Sequence, residues 1–286
     1  MADSLRTDPS PAVLTADVTG ADVHIRPLRS TEDLHACVEL QRDVWGRGQS
    51  EIVPTTLLHV VEYVGGLVAG AFDAHGTLLG FVFGITGIRD GVLSHWSHQL
   101  GVRDSARNLG LGRMLKEYQR ATMAALGVER IYWSFDPLMA KNAYLNLNKL
   151  GGAIAEYVPD MYGTTESPLH LGMATDRLVV RLHTVPREVP PLVLPTGDLP
   201  VLTAFARPDD DVLSIGDRQP DVALIEIPTD MLEVLERSRA DAKIWRMSVR
   251  EHFRWAMAHG YTVLGVYRHP VSERAFYVIS KGLETR

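Results

Sequence analysis

The chain has 286 residues, 45% of them hydrophobic and 22% charged, which is near the globular average and long enough for one large or two ordinary domains. Lys and Arg total 29 against 35 Asp and Glu, a net charge of -6, so nothing in the overall balance draws the chain to nucleic acid or an anionic membrane, and neither is an expected partner. One cysteine, Cys37, rules out an intrachain disulfide and fits a reducing cytoplasm, the expected location; no leader peptide and no transmembrane run of about 18 apolar residues is read.

Residues 1–21 are rich in Ala, Asp, Ser, Thr and Pro without periodicity and read as a flexible lead-in. Residues 23–28 read as a strand. Ser30, with Asp33 three residues on, opens a helix in which Cys37 falls on the apolar stripe as a small buried hydrophobe. Pro54 starts a second helix. Residues 67–73 and 78–86 flank Ala74-His75-Gly76, a hairpin signal. Residues 92–102 form another extended run, and 107–126 read as a helix with Leu111, Leu115, Tyr118 and Thr122 on one face, ended by Gly127. A strand over 130–135, a helix over 141–150 and strands over 153–157 and 177–182 follow.

This order predicts an α/β (α+β) fold: a mixed, mostly antiparallel sheet flanked by helices, occupying residues 22–184. Residues 185–195 carry four prolines and read as a stiff linker. Residues 185–286, which begin with this linker, form a C-terminal αβ module: a strand over 222–227, one long helix capped by Asp230 and Glu233 and running to His259, and a hairpin around His269-Pro270. Trp245, Phe253 and Trp255 read as core. The module could extend the sheet, cover an edge or form a homodimer face.

The most informative segment joins a strand to a helix through Leu100-Gly101-Val102 and Arg107-Asn108-Leu109-Gly110-Leu111-Gly112. Glycines let the backbone approach a ligand, and free amides at a helix start carry partial positive charge that suits a pyrophosphate. Arg107 can add a charge-assisted contact. The alternative is an ordinary turn with glycines used for packing. A Walker A loop is excluded because Arg113-Met114 follows Gly112, and a dinucleotide fingerprint because Leu115 occupies the place of its third small residue.

These residues resemble the Arg/Gln-x-x-Gly-x-Gly/Ala motif of the GNAT acyltransferase superfamily, and Lys149-Leu150-Gly151 resembles the end of that family's later helix motif. The resemblance covers roughly residues 23–182, and the order of elements agrees with it. It implies acetyl-CoA or another acyl-CoA as co-substrate, no metal, and a small-molecule amine as acceptor. It also implies that Leu100, Gly101 and Val102 pair with the pantetheine arm, that the amides of Asn108, Leu109, Gly110, Leu111, Gly112 and Arg113 hold the pyrophosphate, and that Asn142 lies near the pantetheine.

Acyl transfer to an amine requires a proton acceptor, donors for the oxyanion and a way for the thiolate to leave. His98 is the candidate base, matching a histidine in some amine acetyltransferases of the family; the competing reading is a buried structural histidine alternating with Trp96, Leu100 and Val102. His95, on the opposite strand face, is weaker. The amide of Leu100 could serve the oxyanion. The family's usual leaving-group tyrosine falls at Leu147 here, so Tyr144, one turn earlier, is the substitute, with core packing as its alternative and Tyr162 as a further candidate. No His-Glu-x-x-His run exists, and His170 and His183 do not form a metal set. Asp136-Pro137 is either a cleft residue or a turn.

Further stretches, including Ser97-His98-Gln99, Trp133-Ser134-Phe135-Asp136-Pro137, Asn142-Ala143-Tyr144, Asp176-Arg177 and Ile225-Glu226-Ile227-Pro228, resemble one mostly uncharacterised branch, some members of which are linked to N-succinylation of amino acids. A succinyl donor would need a cation, for which Arg89, Arg103, Lys141 and Arg177 are the choices. The competing expectation is a coenzyme A-binding subunit that has lost catalysis.

Overall fold

The computed structural model describes residues 14–18, 21–46, 52–163, 174–188, 191–207, 210–214 and 218–282. Two compact units make up the chain: residues 1–133 with 183–186, and residues 134–182 with 187–286. The division falls within the strand Arg130–Phe135.

In the first unit, β1 (Leu14–Val18), β2 (Ala21–Pro27), β3 (Leu67–Phe72), β4 (Leu78–Arg89) and β5 (Val92–Val102) form an antiparallel series in chain order, and β6 (Arg130–Phe135) joins β5 in parallel. β1 corrects the expectation of a flexible lead-in for its five residues. Its backbone pairs from Leu14↔Ile25 to Val18↔Ala21, which the compositional reading of a polar, proline-containing segment does not reveal. Ala21, the last residue of that lead-in, opens β2, and residues 1–13 and 19–20 lie outside the described residues.

Local chemistry explains the joints. At α1 (Thr31–Trp45), Ser30 Oγ accepts from the Asp33 amide at 3.0 Å, and the Asp33 carboxylate takes two hydrogen bonds from Arg26 on β2 at 2.6 and 2.8 Å. Buried Gln41 accepts from the Val53 amide at 2.7 Å and donates to the Val53 carbonyl at 3.2 Å, which fixes the approach to α2 (Thr55–Tyr63). Asp73 Oδ1 accepts from the amides of His75 and Thr77 and closes the β3–β4 turn. Asp90 and Gly91, with φ of 53° and 75°, make the two-residue β4–β5 turn.

Helices cover both faces of this sheet. On one face α1 and α2 enclose Leu28, Cys37, Leu40, Leu58, Phe81 and Phe83. Cys37 is there the small hydrophobe expected, its thiol pushed up to about 12 by burial. On the other face lies α3 (Leu111–Ala125), where an alanine-like Cβ at Gly80 would meet Leu115 and Val102. The helix begins at Leu111 rather than Arg107, because Asn108 and Gly110 are left-handed at φ 66° and 76° and break any helical run before that point.

In the second unit, β7 (Ala153–Val158) and β8 (Arg177–His183) pair antiparallel, and a separate four-stranded sheet runs β11 (Tyr261–Arg268), β12 (Ala275–Lys281), β10 (Val222–Ile227), β9 (Val201–Leu202). The helix expected over 141–150 is half α-helix, α4 (Ala140–Tyr144), and half a π turn at Leu145–Lys149. From that turn Asn148 accepts from the Val266 amide at 2.9 Å and donates to its carbonyl at 3.1 Å. The single helix expected to run to His259 is two, α5 (Met231–Arg237) and α6 (Arg239–Ala258): Ser238 is extended at φ -156° and its Oγ caps α6 through the Asp241 amide. Asp230 caps α5 as read, accepting from Leu232 and Glu233. Phe253 stacks on Tyr157 and meets Tyr277 edge-on, and Trp255 is buried, so these aromatics are core as read. Half-buried Trp245 meets Phe205 edge-on.

Candidate active site

The candidate site is built on β5. Paired with β4 along its whole length, this strand holds Phe83 opposite Gln99 and Gly84 opposite Ser97, which leaves His98 as an extra residue, a β-bulge. The bulge reverses the phase of the strand. Before it, His95 and Ser97 reach α3; after it, Leu100 lies over Gly112 and Val102 stands beside Leu115. The simple alternation of His98 with Leu100 and Val102 is thereby corrected. His98 is exposed, with its ring edge-on to Phe83 at 5.7 Å, so it is not a buried histidine.

His95 takes that part instead. Fully buried, it contacts Thr86 Oγ1 through Nδ1 and Gln119 Nε2 through Nε2, both at 2.9 Å. Burial, and secondarily the neighbouring Lys116, pull its pKa down to about 3, so the ring stays neutral. Gly84 makes room for it: a Cβ there would stand 2.2 Å from His95 Nε2 and 2.7 Å from the Trp96 carbonyl.

On its other edge β5 pairs with β6 only through Ser94↔Arg130, His95↔Ile131 and Trp96↔Tyr132. Leu100, Gly101 and Val102 therefore have their β4 edge engaged and lie beyond the last β6 pair.

A single 3-10 turn at Asp104–Ala106 leads to the start of α3. The amides of Ala106 and Arg107 are donated locally to Arg103 and Asp104, and those of Arg113 and Met114 both to the Gly110 carbonyl. Among the described residues, no protein acceptor takes the amides of Asn108, Leu109, Gly110, Leu111 or Gly112. These five donors sit on a turn at the positive end of a fifteen-residue helix, an arrangement suited to a pyrophosphate. The expectation for Arg113 is corrected, since its amide already closes the first turn of the helix. Its side chain bonds Glu117 at 2.7 Å. Arg107 is exposed and paired with Asp104 at 2.7 Å, within side-chain reach of the same turn.

Asn142 and Tyr144 lie in the second unit, on α4. Asn142 is exposed, and Tyr144 is 38% exposed with Lys149 over its ring, which removes the core-packing alternative. Leu147, at the family's tyrosine position, is 1% exposed and belongs to the core. Tyr162 shares a 2.9 Å hydrogen bond with Ser134. Asp136 is neither a free cleft residue nor a bare turn: it receives two hydrogen bonds from Arg246 at 2.8 and 2.5 Å and accepts from the Leu138 amide. Of the cations considered for a distal carboxylate, Arg103 is paired with Asp43, Arg89 lies over Tyr132, Arg177 stands near Asp136, and Lys141 is exposed. His170 lies outside the described residues. Among those described, no three His, Cys, Asp or Glu side chains group to hold a metal, and no helix is long and apolar enough to cross a membrane.

The sequence reading passed over Lys116. It lies on the buried side of α3, donates to Ser97 Oγ at 2.7 Å and stands 4.2 Å from the centre of the Trp133 ring. Burial lowers its pKa to about 7. The available signal was positional: Lys116, Gln119 and Met123 form a second row beside the apolar stripe of the helix.

No family model matches the chain, and no curated protein sequence matches it. Solved structures found as similar include the ribosomal-protein-S18-alanine N-acetyltransferase from Escherichia coli, at 19% identity over 58% of this chain and 96% of that one with a TM-score of 0.45. An aminoglycoside 6'-acetyltransferase type Ii matches at 22% identity over 57% and 99%, TM-score 0.45. An aminoglycoside 6'-N-acetyltransferase complexed with coenzyme A matches at 17% over 57% and 98%, TM-score 0.44.

Proposed function

We propose that this chain is an acyl-CoA-dependent N-acyltransferase of the GNAT type, moving an acetyl or succinyl group from coenzyme A to a small-molecule amine such as an amino acid. The observation that carries this reading is the row of five undonated amides at residues 108–112, next in the chain to a strand whose β6 pairing stops at Trp96. The amides would hold the pyrophosphate, with Arg107 adding charge. The open edge of Leu100, Gly101 and Val102 would take the amide groups of the pantetheine arm. His98, exposed on the bulge, would accept the proton of the attacking amine, since an alkylammonium with a pKa near 10 cannot attack. Asn142 and Tyr144 stay in the proposal as pantetheine contact and thiolate partner, both exposed as those roles require. The acyltransferase region is taken as residues 22–184, with 185–286 as an added module.

Mass spectrometry tests the reading. The chain is incubated with acetyl-CoA or succinyl-CoA and a mixture of L- and D-amino acids, and an acylated product with release of free thiol is expected. One observation favours a second reading, a coenzyme A-binding subunit without catalysis: Leu147 is buried where the family's tyrosine would stand. Tight coenzyme A binding with no thiol release across the panel would favour that reading.

A further inference from the structure

The bulge sets both His98 and Gln99 against one residue of β4, Phe83, so the His98 ring turns to the sheet face that carries Phe83. Ile85 lies on that face two residues along β4, about 7 Å from Phe83. It pairs directly with Trp96 on β5, which brings their Cβ atoms to about 5 Å. Beyond Trp96 the next strand offers Tyr132, whose ring is covered by the Arg89 guanidinium at 4.4 Å. The helices α1 and α2 enclose Phe81 and Phe83 on this face, but neither Ile85 nor Trp96 belongs to the core they form. The Gly65 carbonyl, just past α2, accepts from the Thr86 hydroxyl at 2.6 Å, which fixes the end of that helix beside Ile85. Ile85 is 38% exposed, Val64 at the helix end is exposed, and Trp96 is half-buried. The described residues thus leave apolar surface uncovered beside His98, where the water-facing side of an antiparallel sheet is ordinarily polar.

Charge narrows what fits on this surface. Neither β4 nor β5 contains an aspartate or a glutamate, and Arg89 is their one residue of fixed charge. Asp90, in the turn between them, is paired with Arg89 at 3.6 Å, and Glu62 on α2 with Arg29 at 3.7 Å. A second ammonium on an acceptor would find no unengaged carboxylate on these strands and would face an arginine instead. An apolar body would gain about fourfold in affinity for each methylene taken out of water.

We propose that Ile85 and Trp96 determine acceptor specificity: the amine whose proton His98 accepts carries a compact apolar body, branched aliphatic or aryl, that seats on this pair, and acceptors with a second ammonium are rejected. This deepens the acyltransferase reading and rests on it. The step of about 7 Å along the strand from the Phe83–His98 contact to the Ile85–Trp96 pair suits a body of about four to eight carbons.

The test measures thiol release by the full chain from acetyl-CoA and succinyl-CoA, with KM and kcat separated, for two matched sets of acceptors: leucine, serine and lysine, and isoamylamine, ethanolamine and 1,5-diaminopentane. Coenzyme A affinity and melting temperature are measured for every variant. In at least one set the apolar member is expected to show a KM about tenfold or more below the other two. Ile85→Thr and Trp96→Ala raise that KM about tenfold with kcat and coenzyme A affinity unchanged, and Trp96→Phe restores it. Ile85→Asp lowers the KM of the acceptor with two ammonium groups while raising that of the apolar one, which a merely structural residue would not do. Ile85→Thr keeps a β-branched side chain at an exposed strand position, so the Ile85 variants decide the matter if Trp96→Ala fails to fold. Equal KM values across the sets, or an unchanged ranking in Ile85→Asp, overturn the specificity and leave acyl transfer standing. A dimer that Ile85→Asp dissociates without moving any KM would assign the surface to a second copy of the chain and also overturn it. No thiol release with any acceptor removes both readings.

Discussion

Arg246 on α6 grips Asp136, 110 positions earlier in the chain, through two hydrogen bonds of 2.8 and 2.5 Å, with the arginine side chain 4% exposed. Burial opposes the charge on Arg246, and the Asp136 carboxylate more than restores it, so its pKa ends above the ordinary value. Close by in the same unit, Arg250 bridges Asp176 and Asp160, and Tyr157 donates to Asp176. The second unit is therefore organised around paired buried charges as well as an apolar core. Arg246→Met strips Asp136 of its partner and is expected to cost about 3–5 kcal/mol in denaturant unfolding, with the double change Arg246→Met, Asp136→Leu recovering most of it.

The same network predicts acid sensitivity. Burial pushes the Asp176 carboxyl up, but Arg250 and Tyr157 hold it down, and the net shift is below its ordinary value. A depressed carboxylate contributes stability that is present above the unfolded pKa, about 3.9, and is lost as pH falls through the folded value. Asp176→Asn should therefore flatten the loss of stability below about pH 4 relative to wild type, read from melting temperature against pH.

Lys116 has the opposite sign. Its folded pKa, about 7, lies below the ordinary 10.5, so between those values the unfolded chain holds a proton that the folded chain does not. Stability then rises with pH across that window. Lys116→Met should raise the melting temperature, by an amount corresponding to a few kcal/mol at or below pH 7, and the gain should shrink toward pH 10.

At the candidate turn, a Cβ on Gly112 would meet only Leu100, at an ordinary 3.6 Å, so a side chain is tolerated there. Gly112→Glu should leave the melting temperature within a degree or two of wild type and weaken coenzyme A binding at least tenfold by setting a carboxylate at the start of the helix. Gly110, left-handed at φ 76°, should lose about 1 kcal/mol of stability as Gly110→Ala.

Much of this architecture was legible because side-chain period follows backbone geometry. β5 over 92–102, β6 over 130–135 and β10 over 222–227 begin and end where the apolar runs do. The His98 bulge was not legible, because Trp96, His98, Leu100 and Val102 mimic unbroken alternation and the extra residue shows only in the register with β4. The break at Ser238 was hidden by strong helix formers on either side, although a serine three residues before Asp241 is itself a capping signature. At the site, glycines and Arg107 marked the turn. Lys116 escaped notice because a lysine at the margin of an amphipathic face ordinarily reaches water, and here Ser97 and Trp133 receive it instead.

The central claim is the pyrophosphate grip of the turn, and amide chemical shifts of labelled protein titrated with coenzyme A test it most directly. The account predicts saturable, large shifts at Asn108, Leu109, Gly110, Leu111 and Gly112, shared by a 3',5'-ADP competitor only in part because that fragment lacks the pyrophosphate bridge. Saturable binding that leaves these five amides unmoved, or no binding at all, would contradict it.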